Sequence, residues 1–306
     1  MSVHDIGDTT SPGFVWRDWR AVLNLAVVLF KLRVVSLLLA AAVGGAFLAA
    51  RGWPGFGPIL LVLVTGGMAA AGASALNQYW ERERDKTMSR TRHRPLPTGL
   101  IEQKWVPIIG LALIFVPSLV VWPFIPALTF FLLLGAFVYV VIYTIWLKPR
   151  TLLNIVIGGA AGSAAVMSGG AAAGPWQEPA VIVLALLVFL WTPAHFWSLA
   201  ILYRDDYTRA DVPMLPTQVS PRQAAWWVLS HTAPTALTAI LLALTPALGW
   251  LYLIPVGVVS AEMLRRNARL IQDPSPINAR ALFMASNIYL TVVLAAACLD
   301  AALHAL

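Results

Sequence analysis

Asn77-Gln-Tyr-Trp-Glu81-Arg-Glu-Arg-Asp85-Lys-Thr-Met-Ser-Arg90-Thr-Arg-His-Arg94-Pro-Leu-Pro-Thr-Gly interrupts a chain that is otherwise mostly apolar, and it holds three acids and six lysines or arginines. Asn77, Glu81 and Asp85 are spaced i, i+4, i+8, so on a helix they project from one face. A row of oxygen-bearing side chains suits a hard divalent cation such as Mg²⁺. The arginines beside it suit phosphate. The closing Arg94-Pro-Leu-Pro-Thr-Gly stops a helix and turns the chain back. A charged loop that only sets membrane orientation is the plainer reading. That role needs Lys and Arg, however, and leaves the regular ligand spacing unexplained. A metal-plus-arginine site at the end of a membrane helix points to diphosphate chemistry on a lipid-like substrate.

Outward from this segment, composition decides the class. Of 306 residues, 59% are hydrophobic and 11% charged, with a mean hydropathy of +0.76. That excess excludes an ordinary soluble domain and fits an integral membrane protein. The polar N-terminus, Met1 to Trp16, lacks the pattern of a cleaved signal or a transit peptide. The expectation is a retained first membrane helix and a bacterial source. The single cysteine, Cys298, excludes an intramolecular disulfide and argues against a thiolate metal site.

Apolar stretches of spanning length fall at roughly 34–50, 57–79, 105–122, 124–147, 152–173, 179–203, 224–246, 248–264 and 281–303, which predicts an all-α protein of about nine transmembrane helices. With the N-terminus inside, 20 of the 21 lysines and arginines fall on inside segments, and only Arg51 falls outside. So one-sided a distribution assigns the net charge of +7 to membrane orientation rather than to nucleic acid, and no nucleic-acid partner is expected. On the outer face the only acids are Glu178 and Asp300. Chemistry is therefore expected at the cytoplasmic end.

A second acidic cluster, Tyr203-Arg204-Asp205-Asp206-Tyr207-Thr-Arg209-Ala-Asp211, follows the sixth stretch, four helices after the first. This spacing suggests two four-helix halves plus a ninth helix, with a site at their interface. Asp205, Asp206 and Asp211 alone would pass for an ordinary helix end. With Asn77, Glu81 and Asp85 they can hold two Mg²⁺ ions bridging a diphosphate. Arg90, Arg94, Lys148, Arg150 and Arg209 are the candidate cationic clamp, although each singly is equally well an orientation or headgroup residue. His195, in Trp191-Thr-Pro-Ala-His195-Phe-Trp, lies within a membrane stretch, where an ionisable group faces a cavity or a partner. It either lines the same cavity or hydrogen-bonds a neighbouring helix. On one continuous helix His195 and Asp206 would share a face ~16 Å apart. The small residues Gly158-Gly-Ala-Ala-Gly162 and Ser168-Gly-Gly-Ala-Ala-Ala-Gly174 permit close helix packing.

The chain resembles the UbiA superfamily of intramembrane prenyltransferases over nearly its whole length and, within it, is similar to the heme-farnesylating branch. The resemblance is carried by three motifs. Asn77…Glu81…Asp85 with Met88-Ser-Arg90-Thr91 and Arg94-Pro-Leu-Pro is similar to the superfamily's first Asp-rich motif. Tyr143-Thr-Ile-Trp-Leu-Lys148-Pro-Arg-Thr151-Leu-Leu-Asn154 looks like a signature of that branch. So does Thr192-Pro-Ala-His195-Phe-Trp-Ser followed by Asp206-Tyr-Thr-Arg-Ala-Asp-Val-Pro213-Met-Leu-Pro216. Glu81 stands where the family usually has Asp, and Phe30-Lys31-Leu-Arg33 resembles a Lys-Pro-Arg segment without its proline.

The resemblance implies a UbiA-type bundle with cytoplasmic loop caps: residues 1–33 as an entry segment and 34–306 as one membrane-embedded prenyltransferase domain. It implies Mg²⁺ as cofactor, held by Asn77, Glu81, Asp85 and Asp206 with Asp205 or Asp211. It implies farnesyl diphosphate and heme B as substrates, and His195 in contact with the heme iron or orienting the porphyrin. The setting implied is the lipid of a bacterial inner membrane, with a heme A synthase as protein partner. Two other readings stand beside it. One is a related enzyme using a quinone precursor or another aromatic or tetrapyrrole acceptor. The other is a transporter, whose coupling acids would lie near the bilayer midplane rather than at helix ends.

Overall fold

A computed structural model describes residues 19–304. The expected entry segment therefore lies largely outside the described residues, with Asp5, Asp8 and Arg17 among those not covered. Every regular element among the described residues is helical. They are α1 (Trp19–Leu29), α2 (Leu32–Ala50), α3 (Phe56–Asp85), α4 (Trp105–Val121) and α5 (Pro126–Phe137), the last continuing as a π-helical stretch, Val138–Leu147. There follow α6 (Asn154–Gly158), α7 (Ala160–Ala173), α8 (Pro179–Leu202), α9 (Arg204–Arg209), α10 (Leu215–Gln218), α11 (Pro221–Leu242), α12 (Trp250–Gln272) and α13 (Pro276–His304).

Seven units are long and apolar enough to cross a membrane: α2, α3, α5 with its π-helical continuation, α6 with α7, α8, α11 and α13. The expected nine stretches all coincide with helices, but two fall short of that standard. Helix α4 has only 17 residues, and α12 ends in a polar half carrying Glu262, Arg265, Arg266 and Arg269. Local chemistry sets several boundaries. Pro126, Pro179 and Pro221 stand in the first turns of their helices, where a missing N–H costs nothing. Ser220 and Gln223 close a capping box at the start of α11. The three helices the sequence did not suggest, α1, α9 and α10, are too short or too polar to show as apolar runs.

Two features fix the bundle. At one end Arg51 terminates α2 in the left-handed conformation (φ 48°, ψ 36°). Its guanidinium then donates from Nε and Nη2 to the two Glu178 oxygens, each at 3.1 Å. The cation expected on the outer face is thus paired with one of the two acids expected there. The other, Asp300, accepts from the backbone N–H of Gly249 at 2.6 Å and Tyr252 at 2.9 Å, capping the start of α12. Within the bundle, α2 packs closely against α7. A Cβ on Gly169 would collide with the Ala42 carbonyl, and one on Gly45 with the Val166 carbonyl. These helices meet backbone to backbone, as small residues in membrane helices allow.

Gly169→Ala is therefore expected to prevent normal docking of α7 on α2. The obstacle is a carbonyl rather than a yielding side chain, so the cost should exceed the ~1–3 kcal/mol of ordinary overpacking. Gly57→Ala, on α3 with open space around it, is the control. Thermal unfolding in detergent should drop sharply for the first variant and stay near wild type for the second.

Candidate active site

Helix α3 has 30 residues, ~45 Å at ~1.5 Å per residue. The hydrocarbon core is ~30 Å thick, so the last turns of α3 run beyond what is needed to span it. Asn77, Glu81 and Asp85 occupy those turns on one face and are all buried. Each meets a partner from a different part of the chain. Lys31 Nζ donates to Asn77 Oδ1 at 2.5 Å and to the Tyr139 hydroxyl at 3.1 Å. Asn77 Nδ2 donates to Thr144 Oγ1 at 2.9 Å, which itself donates to the Tyr139 carbonyl at 2.7 Å. Lys148 pairs with Glu81. Arg94 Nη1 pairs with Asp85 Oδ2 at 2.7 Å.

Lys31 reaches this site from the turn between α1 and α2, where it adopts φ 49°, ψ 46°. Burial, reinforced by Arg94, holds its ammonium well below the usual lysine range. Lysine's place here was not read from the sequence beyond a family-like segment, because nothing in the spacing ties residue 31 to residue 77. Tyr139 was also missed, and Tyr143 and Thr144 entered only as part of a family-like motif, with no role assigned. They look like ordinary apolar-helix residues until the π-helical stretch turns them inward, where the Tyr139 and Tyr143 rings stack at 5.8 Å. Such stretches recur at functional sites.

On α9, Asp206 is also buried. It accepts from Ser89 Oγ at 2.5 Å and from the Arg90 backbone N–H at 3.4 Å, and it pairs with Arg209. Burial pushes its carboxyl up, but the hydrogen bonds from Ser89, Arg209 and Arg90 outweigh that and leave it below the usual 3.8. The Ser89–Asp206 bond latches the loop after α3 onto α9.

A cavity of about 1260 Å³ runs inward from this charged end. It brings together Asn77, Glu81, Asp85, Arg90, Arg94 and Lys148 at the mouth. Leu37, Ala73, Ala165 and Val188 are among its apolar walls, with His195 beside Trp191 and Phe283. The other expected site residues stand apart. Asp205 and Asp211 are exposed, and neither they nor the buried Asp206 line the cavity. Arg209 is largely exposed beyond its pairing with Asp206. Arg150 instead donates to the Ile145 and Trp146 carbonyls at 3.0 and 2.8 Å, capping the π-helical stretch. Nor do His195 and Asp206 share one helix face, because Tyr203 (φ −110°, ψ 32°) separates α8 from α9. His195 Nδ1 lies 2.8 Å from Ser286 Oγ on α13. It therefore both lines the cavity and bonds a neighbouring helix, so the two readings of this residue are compatible.

Among the described residues no three His, Cys, Asp or Glu side chains are grouped closely enough to hold a metal ion. The carboxylates face cations instead. The donor set nonetheless suits Mg²⁺ by chemistry: Asn77, Glu81 and Asp85 offer hard oxygens in a row at a cavity mouth.

The sequence pattern of the UbiA prenyltransferase family matches residues 37–291. This chain belongs to the UbiA prenyltransferase family. It is 41% identical over 269 residues to a "Protoheme IX farnesyltransferase" of Metallosphaera sedula, covering 87% of this chain and 92% of that one. It is 39% identical over 280 residues to "Protoheme IX farnesyltransferase 2" of Paramagnetospirillum magneticum, covering 90% and 96%. The UbiA fold extends to distant solved structures. A digeranylgeranylglyceryl phosphate synthase superposes with a TM-score of 0.74 at 18% identity, over 92% of this chain and 98% of that one. A UbiA homolog from Archaeoglobus fulgidus bound to DMAPP and Mg²⁺ gives 0.61 at 14% identity, over 89% and 98%. The chain is thus a multi-pass membrane prenyltransferase.

The Ser89–Asp206 latch has a testable pH signature. A carboxyl whose folded value is depressed contributes stability above its unfolded value, and that contribution is lost as pH falls through the folded value. Thermal stability of the wild type should therefore decline below pH 3.8, and Asp206→Asn should flatten that acid limb. At neutral pH, Ser89→Ala should speed tryptic cleavage at Arg90 and Arg92 by about tenfold, as loss of a hydrogen bond to a charged group implies. Unchanged cleavage would show that the loop is held by other contacts.

Proposed function

We infer that this chain is a heme O synthase. It transfers the farnesyl group of farnesyl diphosphate to a vinyl group of heme B, with addition of water, and releases diphosphate. The observation that carries this reading is the division of one cavity into a charged mouth and an apolar, aromatic interior. At about 1260 Å³ the cavity exceeds the ~300–1,000 Å³ usual for a single small ligand, which suits two large substrates meeting inside. The names of its relatives supply the acceptor.

Asn77, Glu81, Asp85 and Asp206 would hold Mg²⁺, which supplies neutralising charge to the diphosphate. To do so Glu81 must part from Lys148 and Asp85 from Arg94. The released cations then turn to the phosphate oxygens, with Arg90 and Lys31 beside them. The exchange leaves no buried charge unpaired. These cations favour the diphosphate as the C1–O bond breaks, an electrostatic contribution to catalysis. The terminal vinyl carbon bonds to C1 of the resulting allylic cation, water adds to the cation this leaves beside the porphyrin ring, and the proton the water loses passes to the released diphosphate. The apolar walls keep water from C1 until that bond has formed.

We place residues 34–306 as one catalytic domain of two four-helix halves and a ninth helix, in a bacterial inner membrane with the charged end cytoplasmic. Farnesylated heme would leave for a heme A synthase.

The test is a mass-spectrometric product assay on purified protein with heme B, farnesyl diphosphate and Mg²⁺. A product heavier than heme by farnesyl plus water is expected, and EDTA should abolish it. Asp85→Ala should lower turnover at least a hundredfold while the protein stays folded. Near-normal turnover would remove Asp85 from the metal site, and absence of any heme product from folded wild type would overturn the acceptor.

A further inference from the structure

Two helix faces run inward from the charged mouth in step. On α3, Asn77, Ala73 and Ala69 are spaced by four residues, and so are Tyr139, Gly135 and Phe131 on α5 and its π-helical continuation. All six line the cavity. At the top the two faces are joined, because Lys31 Nζ donates both to Asn77 Oδ1 at 2.5 Å and to the Tyr139 hydroxyl at 3.1 Å. In the middle, Ala73 and Gly135 are too small to fill the space between the helices, and Ala164 and Ser168 of α7 back it.

At the foot the side chain is large. Phe131 is only 7% exposed. Its ring meets those of Phe130 and Trp176 edge to face, each with centroids 5.2 Å away and planes at 72°. Thr65 and Ala127, one turn further along the same faces, do not line the cavity. The slot between α3 and α5 therefore closes at Phe131, and the two rings against it oppose its yielding.

The length of this slot can be compared with a ligand. Asn77 to Ala69 and Tyr139 to Phe131 are both eight residues apart, ~12 Å at ~1.5 Å per residue. An extended chain covers ~3.3–3.6 Å for every three bonds, as the polypeptide backbone does. On that measure the twelve-carbon main chain of a farnesyl group spans ~12–13 Å, that of a geranyl group ~8 Å and that of a geranylgeranyl group ~17 Å.

We propose that the slot between α3 and α5 seats the prenyl chain of the donor, and that Phe131 is a specificity-determining residue that sets its length at fifteen carbons. This rests on the farnesyl diphosphate reading above and deepens it. With the diphosphate at Glu81 and Asp85, C1 lies near the level of Asn77 and Tyr139, and the chain ends against the Phe131 ring. A geranyl chain leaves the foot unfilled. A geranylgeranyl chain needs ~5 Å more than the slot offers. The chamber beside Trp191 and Phe283 is left to the acceptor.

The test is a calorimetric titration of the full chain in lipid nanodiscs with Mg²⁺ and the unreactive geranyl, farnesyl and geranylgeranyl thiolodiphosphates, with no acceptor present. Wild type should bind the farnesyl compound most tightly, at least about tenfold better than the geranylgeranyl one, as an apolar pocket discriminates added carbons. Phe131→Ala should raise the geranylgeranyl-to-farnesyl affinity ratio by about tenfold or more. Ala69→Leu, which fills the foot from the opposite side, should instead shift preference toward the geranyl compound, so the floor is tested even where the Phe131 variant fails to fold. Comparing ratios between variants cancels partition of the longer tails into lipid. An unchanged ratio in folded Phe131→Ala, or an unchanged preference in folded Ala69→Leu, would overturn the proposal while leaving the donor reading intact. Failure of wild type to bind any of the three would overturn the farnesyl donor and this inference together, whereas the heme acceptor is decided by the product assay above.

Discussion

Glu81 and Asp85 are buried at the end of an apolar bundle, and a buried carboxylate without a partner costs several kcal/mol. Much of the surrounding architecture answers that constraint. Each partner arrives by a departure from regular helix. Lys31 comes from a left-handed turn. Lys148 follows a π-helical stretch. Arg94 is delivered by the proline-flanked loop that folds back over the end of α3. Regular helices would carry these cations past the carboxylates, and the irregularities bring them to bear. On the reading proposed above, the pairs would provide charges of both signs where a metal-bound diphosphate needs them.

The bundle supplies the complementary requirement, an apolar space that does not collapse. On one side α2 and α7 are in backbone contact through Gly45 and Gly169, which leaves that wall nothing further to yield. On the other, α8 and α13 are tied through Ser286. The cavity between them keeps its width because neither wall can close by repacking side chains alone. Small residues here set the size of a chamber as well as the closeness of a helix pair.

Legibility in the sequence followed the range of each interaction. The Asn77, Glu81, Asp85 row was readable because a helix fixes i, i+4, i+8 on one face whatever surrounds it. Hydropathy located the helices for the same local reason, with α4 shorter and α12 more polar than the seven that are long and apolar enough to span. The partners were less readable. Lys148 and Arg94 could be named as cations, but their assignment to particular carboxylates depends on contacts up to 67 residues away in sequence. Lys31, Tyr139, Ser89 and Ser286 depend wholly on such contacts. Arg150 illustrates the converse: its charge and neighbourhood suggested a phosphate ligand, whereas it caps the carbonyls one turn behind it. The expected alignment of His195 with Asp206 failed because it assumed a continuous helix through Tyr203.

That interruption has a kinetic meaning. On the reading proposed above, Asp206 at the diphosphate end lies on the six-residue α9 and His195 at the porphyrin end on the 24-residue α8, and the two are joined at Tyr203 rather than carried on one stiff rod. Movement of α9 as it accommodates one substrate is taken up at the joint before it reaches His195. Neither substrate has to prepare the scaffold for the other along this helix. The architecture is thus compatible with random order of addition, with either molecule entering first and waiting.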